Sequence, residues 1–250
     1  MKILTLNTWQ ERGPWQERWE IILEGLGRFQ PDLVAFQEVF NSSWAREVQK
    51  RTGFFTLLDG SEKGGLVLCA RYPAKRWGTF QLTASPIEEY SRYALWAEFD
   101  VQGEALFVLN THLSWQLEDS ATRQKQIEDI LRLIPEKIAG EKMFQQGFLL
   151  MGDLNTPPDS PEIQGLLREG KFRDLFGEKH PNEAGPSWDN RNPYAAGSGH
   201  ELPDRRIDYL LARGRSRLLQ RLVSCDLVYT QPNAQGIWAT DHFGVLAELA

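Results

Sequence analysis

Short apolar runs that predict strands recur along this chain, at residues 2–9, 32–39, 65–72, 94–100, 105–113, 147–155, 206–213 and 244–250. Several are uninterrupted for four or five residues, as in "LVAF", "LVLCA", "LFVL" and "FLLM". Runs this short and this apolar are typical of β-strands covered on both faces. Segments with helical periodicity lie between them, at residues 14–29, 120–138 and 160–170, with Ser120 as the predicted N-cap of the second. Interleaved strands and helices predict a layered α/β fold, and the hairpin-like spacing over residues 66–109 adds antiparallel pairing. We therefore expect mixed sheets with helices outside them.

Length and composition limit the kind of protein this is. The 250-residue chain shows no linker, repeat or low-complexity tract, which predicts a single domain over residues 1–250. No apolar run is long enough to cross a membrane, and the N-terminus lacks a signal-peptide pattern. Cys69 and Cys225 each stand alone inside an apolar run, so we expect reduced thiols in a monomeric, cytoplasmic protein. The net charge of −6 argues against tight, nonspecific nucleic-acid binding, but it is compatible with an enzyme that neutralises phosphate through a metal ion.

Polar side chains stand at the ends of most predicted strands, where strand propensity would not place them. These residues are Asn7, Glu38, Asn110, His112, Asp153, Asn155, Asp208, Asp241 and His242. Each one alone has a structural explanation, such as a turn residue, a buried ion pair, a core histidine or a helix cap. The recurrence of carboxylates, amides and imidazoles at six strand ends favours a shared site, because ligand sites of α/β proteins form where strand ends converge.

The residue types indicate the chemistry of that site. Glu38 and Asp241 offer the hard oxygen ligands that suit Mg²⁺, with Mn²⁺ as a substitute, whereas no His/Cys cluster has the spacing of a zinc site. A pair of Asp208 with His242 would fix the tautomer of the imidazole and support its charged form. Asp153 and Asn155 are placed to align or deprotonate a water molecule. Because no G-x-S-x-G element is present, we expect direct attack by water in a metal-assisted phosphoester hydrolysis.

Six motifs carry a family resemblance, in the order "LTLNTW", "FQEV", "NTHL", "GDLN", "RIDYLL" and "TDHFGV". Together they resemble the endonuclease/exonuclease/phosphatase superfamily of deoxyribonuclease-like, metal-dependent phosphoesterases. The motifs run from residue 3 to about residue 246, so they cover essentially the whole chain. The resemblance implies a four-layer αββα sandwich, with two central mixed β-sheets and the site at one edge.

The resemblance also assigns roles to the strand-end residues. It implies that Glu38 is the main metal ligand, that Asn7 and Asp241 help to place the metal or phosphate, and that Asp153 and Asn155 orient water.

For the phosphate, the resemblance implies that His242, supported by Asp208, binds it or relays a proton. His112 is a second candidate for that task, and Arg92 matches more loosely a position where relatives place a phosphate-contacting arginine. We assign Asn110 to substrate binding.

Three loops are expected to select the substrate, at residues 8–19, 112–120 and 185–204. The last resembles a loop of the sphingomyelinase-like and tyrosyl-DNA phosphodiesterase-like branches, and its Trp188 would either stack on the substrate or anchor the loop. The expected substrate is a phosphoester in a nucleic acid, a nucleotide or a phospholipid headgroup. A nuclease or DNA-repair phosphodiesterase, a sphingomyelinase-like hydrolase and a catalytically inactive binding module on the same fold remain open alternatives.

Overall fold

The computed structural model describes residues 1–133, 136, 146–199 and 202–250. Its strands are β1 (Lys2–Asn7), β2 (Leu33–Gln37), β3 (Thr56–Gly60), β4 (Leu66–Ala70), β5 (Ala74–Gln81), β6 (Tyr93–Val101), β7 (Glu104–His112), β8 (Gly147–Asp153), β9 (Arg173–Asp174), β10 (Asp208–Gly214), β11 (Leu222–Val228) and β12 (Gly244–Leu249). Its α-helices are α1 (Trp15–Phe29), α2 (Ser42–Thr52), α3 (Ser120–Glu128), α4 (Pro161–Arg168), α5 (Leu175–Lys179) and α6 (Pro193–Ala196). A π-helical segment, Asp129–Leu133, continues α3, and a 3₁₀ turn spans Arg217–Leu219.

The helices begin close to the predicted positions. Ser120 is the first residue of α3 rather than its N-cap, since Asp119 occupies the cap position. Much of the end of the predicted helix 120–138, including Ile134, lies outside the described residues. In α4, Ser160 caps the N-terminus through the backbone N–H of Ile163, and Pro161 stands where no N–H is needed. Among the described helices, none combines the length and apolar composition that crossing a membrane requires.

The described strands form two six-stranded sheets. The first has the order β11-β12-β1-β2-β4-β3 and the second the order β5-β6-β7-β8-β10-β9. β1 pairs with β2 in parallel, and β7 pairs with β8 in parallel. The other strand pairings are antiparallel, so both sheets are mixed, as predicted.

Three apolar clusters hold the layers together. The cluster between the sheets contains inward-facing residues of both, such as Leu33 and Val108. A second cluster packs the outer face of the first sheet against α1 and α2, and a third packs the outer face of the second sheet against α3 and α4. The order helix, sheet, sheet, helix confirms the predicted four-layer αββα sandwich.

The pleat of the strands decides where their polar ends point. Successive side chains of a strand face opposite sides. In β8, Leu149 and Met151 lie in the cluster between the sheets, and Asp153 is the next residue of the same parity. The same rule applies to Asn110 and His112 in β7, to Asn7 in β1 and to Asp208 in β10. Alternation that fills the core therefore also turns these polar side chains toward the space between the two sheets.

Strand direction brings the ends to one edge. The parallel pairs place the carboxyl ends of β1 and β2 side by side, and likewise those of β7 and β8. β10 and β12 run antiparallel to their neighbours, so they contribute their amino-terminal ends, with Asp208 on the former and the segment 241–243 before the latter.

Candidate active site

Polar side chains from both sheets meet at this edge, in what we call the crevice. Asp153 lies at its centre, in contact with Asn7 and near His112 and His242. Its Oδ2 atom accepts a hydrogen bond from Asn7 Nδ2 at 3.0 Å and lies 3.4 Å from His112 Nε2 and 3.8 Å from His242 Nε2. The side chain is fully buried, and this burial, with the charge of Asp208, raises the pKa of Asp153 to about 7. The carboxylate is thus more basic than an ordinary aspartate, and the structure brings it together with both predicted histidines.

Asp208 and His242 form a buried ion pair next to Asp153. Nδ1 of His242 lies 2.8 Å from Asp208 Oδ2. Burial acts to lower the pKa of His242, but the charges of Asp208 and Asp241 and the hydrogen bond to Asp208 outweigh it and raise the pKa to about 10. The ring is therefore an imidazolium at neutral pH.

His112 carries the opposite protonation state. Its burial, followed by the nearby positive charges of Arg92 and His242, places its pKa well below the usual value. The crevice thus holds one neutral and one charged imidazole, at 3.4 and 3.8 Å from Asp153 Oδ2.

Glu38 and Asp241 define a second, more acidic side of the crevice. Asn7 Nδ2 also contacts Glu38 Oε1 at 3.3 Å, so one amide lies between the carboxylates of Glu38 and Asp153. Asp241 is buried, and this burial, with the repulsion of Glu38, raises its pKa to about 6 against the opposing charge of His242. Two mutually repelling carboxylates fit a divalent cation, because hard oxygen ligands and a positive charge would relieve the repulsion.

The backbone is strained at two of these positions. Glu38 has φ of 61° and Asn155 has φ of 54°, a region that residues with a side chain rarely adopt. Such conformations persist where the surroundings enforce them, and they are concentrated at functional sites.

Asp153, Asp208 and His242 form a second group suited to a metal ion, since their ligand atoms all lie within 4.8 Å of one another. His242 Nδ1 is, however, already engaged with Asp208 Oδ2 at 2.8 Å, in a buried contact. The Glu38 side is therefore the better candidate.

Asn155 completes the turn after β8. Its backbone N–H donates to Asp153 Oδ1 at 2.9 Å, and its Nδ2 donates to the carbonyl of Leu113 at 3.0 Å. Gly152 precedes Asp153 in β8 and has a structural role. It has φ of 138°, and a Cβ atom there would lie 2.0 Å from the carbonyl oxygen of Thr111. The glycine is required for the close approach of β7 and β8.

Asn110 does not face a substrate space. It is fully buried, its Nδ2 donates to the carbonyls of Phe36 at 2.8 Å and Val67 at 3.0 Å, and its Oδ1 accepts from Gln37 Nε2 at 2.7 Å. These contacts join the two sheets and do not support the predicted substrate-binding role.

Arg92 and Trp188 lie beside the two histidines. Arg92 Nε donates to Glu88 Oε2 at 2.8 Å, and the positive charge of Arg92 helps to lower the pKa of His112. The ring of Trp188 is only 7% exposed and packs edge-on against His242, with centroids 5.1 Å apart. Trp188 has little free surface for stacking, so its contacts support the interpretation that it anchors its loop.

Several supporting residues were missed from the sequence. The guanidinium of Arg18 donates hydrogen bonds to five backbone carbonyls, at residues 8, 9, 10, 12 and 239, in the loops beside Asn7 and Asp241. Ser187 Oγ accepts from the backbone N–H groups of Ile207 and Asp208 at 3.0 and 3.1 Å. Only Arg18 had a sequence signal, since it stands four residues before Ile22 on the apolar face of α1.

Comparisons with known proteins agree with this architecture. A sequence model of the Endonuclease/Exonuclease/phosphatase family matches residues 4–242. The probable RNA exonuclease NGL3 of Saccharomyces cerevisiae is 27% identical in an alignment of 205 residues, and the match covers 67% of this chain and 40% of the yeast protein. This chain therefore spans well under half the length of that relative.

Two solved structures show the same fold. A beta toxin of Staphylococcus aureus superposes with a TM-score of 0.79 at 17% identity, with 100% of each chain covered. A truncated TDP2 of Caenorhabditis elegans also superposes with a TM-score of 0.79, at 18% identity, with 98% of this chain and 96% of the other covered. At these identities the likeness concerns the fold.

Proposed function

This chain belongs to the Endonuclease/Exonuclease/phosphatase family, and we propose that it is a Mg²⁺-dependent hydrolase that cleaves a phosphodiester by direct attack of water. The observation that carries the proposal is the arrangement around Asp153, whose Oδ2 atom lies 3.4 Å from His112 Nε2 and 3.8 Å from His242 Nε2. Burial raises the pKa of Asp153 to about 7, and the two histidines differ in charge. A base with a pKa near the working pH and an acid nearby are the groups that hydrolysis requires.

The metal would be held by Glu38 and Asp241, with Asn7 fixing the carboxylate of Glu38. Bound there, Mg²⁺ would supply positive charge to a phosphate oxygen, and Mn²⁺ would substitute for it. Asn7 serves as an orienting group, because its Nδ2 donates to Glu38 while its Oδ1 accepts from the backbone N–H of Trp9 at 3.1 Å.

The attacking water would be aligned and deprotonated by Asp153. Both oxygens of this carboxylate are oriented, Oδ1 by the backbone N–H of Asn155 and Oδ2 by Asn7. Burial shields the carboxylate from bulk solvent, so the water molecule that it deprotonates would be one bound beside it in the crevice. Asn155 fixes the turn that aims it, through the hydrogen bond from its Nδ2 to Leu113.

Charge on the reacting phosphate would be balanced by His242. Its Nδ1 is engaged with Asp208, which leaves the protonated Nε2, 3.8 Å from Asp153, on the crevice side. An imidazolium in this position stabilises the negative charge that develops on the phosphate or donates a proton to the leaving oxygen. His112, being neutral, is suited to a hydrogen bond with the phosphate.

A nucleic-acid phosphodiester is the first substrate to test, because the yeast relative is named as a probable RNA exonuclease. We also propose a cytoplasmic location, on the ground that Cys69 and Cys225 are free and buried.

Hydrolysis of a bis-aryl phosphodiester in the presence of Mg²⁺, with and without a chelator, tests the activity. We expect chelation to abolish turnover and Asp153→Ala to lower kcat by at least about 100-fold. Asp159→Ala, an exposed aspartate six residues away, is the matched control and should keep wild-type kcat. Turnover that survives chelation or Asp153→Ala would refute the proposal, and an inactive protein that still binds oligonucleotides would favour a binding module.

A panel of end-labelled RNA, single-stranded DNA, a tyrosyl-oligonucleotide and sphingomyelin vesicles then identifies the substrate class. We expect kcat/KM to be highest for an oligonucleotide. Preferential cleavage of sphingomyelin would replace the nucleic-acid assignment by the phospholipid alternative.

A further inference from the structure

Arg205 lies on the same face of the crevice as His242. Its backbone pairs with that of Trp188 through two hydrogen bonds of 2.9 and 2.8 Å, and Trp188 forms a second antiparallel bridge with His242. Residues that face each other across antiparallel bridges project their side chains to the same side. Because His242 faces Asp208 and Asp153, Trp188 and Arg205 project toward that side as well.

The guanidinium of Arg205 is buried without the partners that other buried arginines have. Arg205 is 8% exposed, and its Nε and Nη1 atoms have no hydrogen-bond partner among the described residues. In contrast, Arg18 donates to five carbonyls, Arg123 Nε lies 3.1 Å from Glu162, and Arg206 Nη1 lies 2.6 Å from Asp174. Buried donors are almost always paired, so two unpaired N–H groups on one side chain require an explanation.

The surroundings of Arg205 give that explanation. Burial lowers the pKa of Arg205, while the carboxylates of Asp153 and Asp208 act in the opposite direction, so the guanidinium lies within electrostatic reach of the proposed base. Among the described residues it forms no ion pair with either carboxylate, and Oδ1 of Asp208 is itself buried there without a partner. The positive charge of Arg205 therefore lies near Asp153 and Asp208, and its Nε and Nη1 donors have no hydrogen-bond partner among the described residues.

A substrate phosphate has the geometry to use these donors. The unpaired Nε and Nη1 lie on different edges of the planar guanidinium, and either can donate a charge-assisted hydrogen bond to a phosphate oxygen. A crevice that contains four carboxylates, those of Glu38, Asp153, Asp208 and Asp241, also needs positive charge to admit an anion.

We infer that Arg205 is a phosphate-binding residue, whose guanidinium donates one of its unpaired N–H groups to a non-bridging oxygen of the scissile phosphate on the side of the crevice where Trp188 and His242 lie. This inference rests on the proposed function, because it assigns a ligand to the same crevice. Trp188 contributes by holding the backbone of Arg205 beside that of His242.

Calorimetric titration of the full chain with inorganic phosphate, in the presence of Mg²⁺, tests the inference without any turnover. We expect Arg205→Met to weaken phosphate binding by about 10- to 100-fold and to raise KM for the bis-aryl phosphodiester more than it lowers kcat. Arg205→Lys, which keeps the charge but loses the planar donors, should give an intermediate affinity. Arg217→Met, at an exposed arginine that pairs with Glu104 beyond the other end of β10, is the matched control and should bind phosphate like the wild type.

Wild-type phosphate affinity in a folded Arg205→Met variant would overturn the inference, as would a wild-type protein that binds no phosphate. An Arg205→Met variant with unchanged phosphate affinity but altered stability would show that Arg205 only balances the charges of Asp153 and Asp208. If Arg205→Met does not fold, Arg205→Lys decides, since unchanged affinity there also overturns the inference. Phosphate binding that depends on Arg205 in a protein that hydrolyses nothing would refute the proposed function alone.

Discussion

His242 Nδ1 lies 2.8 Å from Asp208 Oδ2, and this contact joins the two sheets, because Asp208 begins β10 of the second sheet and His242 precedes β12 of the first. The contact between Asn7 and Asp153 and that between Gln37 and Asn110 also cross from one sheet to the other. Polar contacts of the crevice thus set the relative position of the sheets at this edge, as well as the geometry of the candidate site.

Asp208→Asn should lower the pKa of His242. The pKa of about 10 depends on the charge of Asp208, which opposes the effect of burial. Loss of that charge should reduce the pKa by at least about one unit, which histidine NMR on the metal-free protein would measure. Asp159→Asn is the control, and an identical titration in both variants would contradict the ion pair.

Glu38→Gln and His242→Gln should separate metal binding from proton transfer. Replacing a ligand carboxylate by an amide should weaken Mn²⁺ binding by about tenfold or more. Removing the imidazolium of His242 should not weaken it, because that group is positive and is engaged with Asp208. Mn²⁺ titration by electron paramagnetic resonance measures both affinities, and equal losses would contradict these roles.

Asn110→Ala should reduce stability rather than substrate affinity. It would leave Gln37 Nε2 and the carbonyls of Phe36 and Val67 without their partner. We expect the free energy of unfolding to fall by about 2–4 kcal/mol in urea denaturation, with KM unchanged. A double-mutant cycle with Gln37→Ala measures the coupling across the sheets. Unchanged stability together with a raised KM would restore the substrate-binding role.

Gly152→Ala should be among the most destabilising substitutions in this chain. The added Cβ would lie 2.0 Å from the Thr111 carbonyl oxygen in a backbone conformation with φ of 138°. A loss of at least about 3 kcal/mol is expected in thermal or urea unfolding. Gly27→Ala in α1 is the control, because its Cβ would meet nothing within 4 Å and alanine favours helix. Equal stability of the two variants would show that β7 and β8 tolerate a wider spacing.

His180 should make stability depend on pH outside the crevice. Its hydrogen bond to Glu183, with contacts to the Cys225 carbonyl and Asp226, raises the pKa of His180 against slight burial, and the ring also stacks on Phe176. A raised folded-state pKa stabilises the fold fully below the unfolded value of about 6.5, and this contribution is lost as pH rises through the folded value. His180→Gln should therefore lower Tm more at pH 5.5 than at pH 9. A Tm difference that is the same at both pH values would contradict the charge effect.

The sequence predicted the strands at the centre of the sheets better than those at their edges. The apolar runs correspond to β1, β2, β4, β6, β7, β8, β10 and β12. The four strands that were not predicted, β3, β5, β9 and β11, are the ends of the two sheets. Edge strands are half exposed, as the alternation in β5 and β11 shows, so they lack a continuous apolar pattern. The assignment of residues 1–250 to a single domain stays a prediction.

For the candidate site, the type of each residue and its position at a strand end could be read from the sequence. Which side chains each of them contacts could not. The sequence placed Asp153 and Asn110 alike at the ends of apolar runs, yet one lies in the crevice and the other joins the sheets. The difference depends on which residues of the opposite sheet face each of them, and that packing has no local signature. For the same reason, the unpartnered Arg205 could not be distinguished from the paired Arg206 beside it.

The strand pleat that faces Leu149, Met151 and Asp153 toward the same side has a consequence for how this chain can change over evolution. One residue inserted or deleted within β8 would reverse the faces of its apolar residues and remove the carboxylate from the crevice in the same step. The register of β8 thus fixes both the packing of its apolar residues and the position of the Asp153 carboxylate. We therefore expect changes of length to be tolerated in the loops that follow the strands rather than within β8.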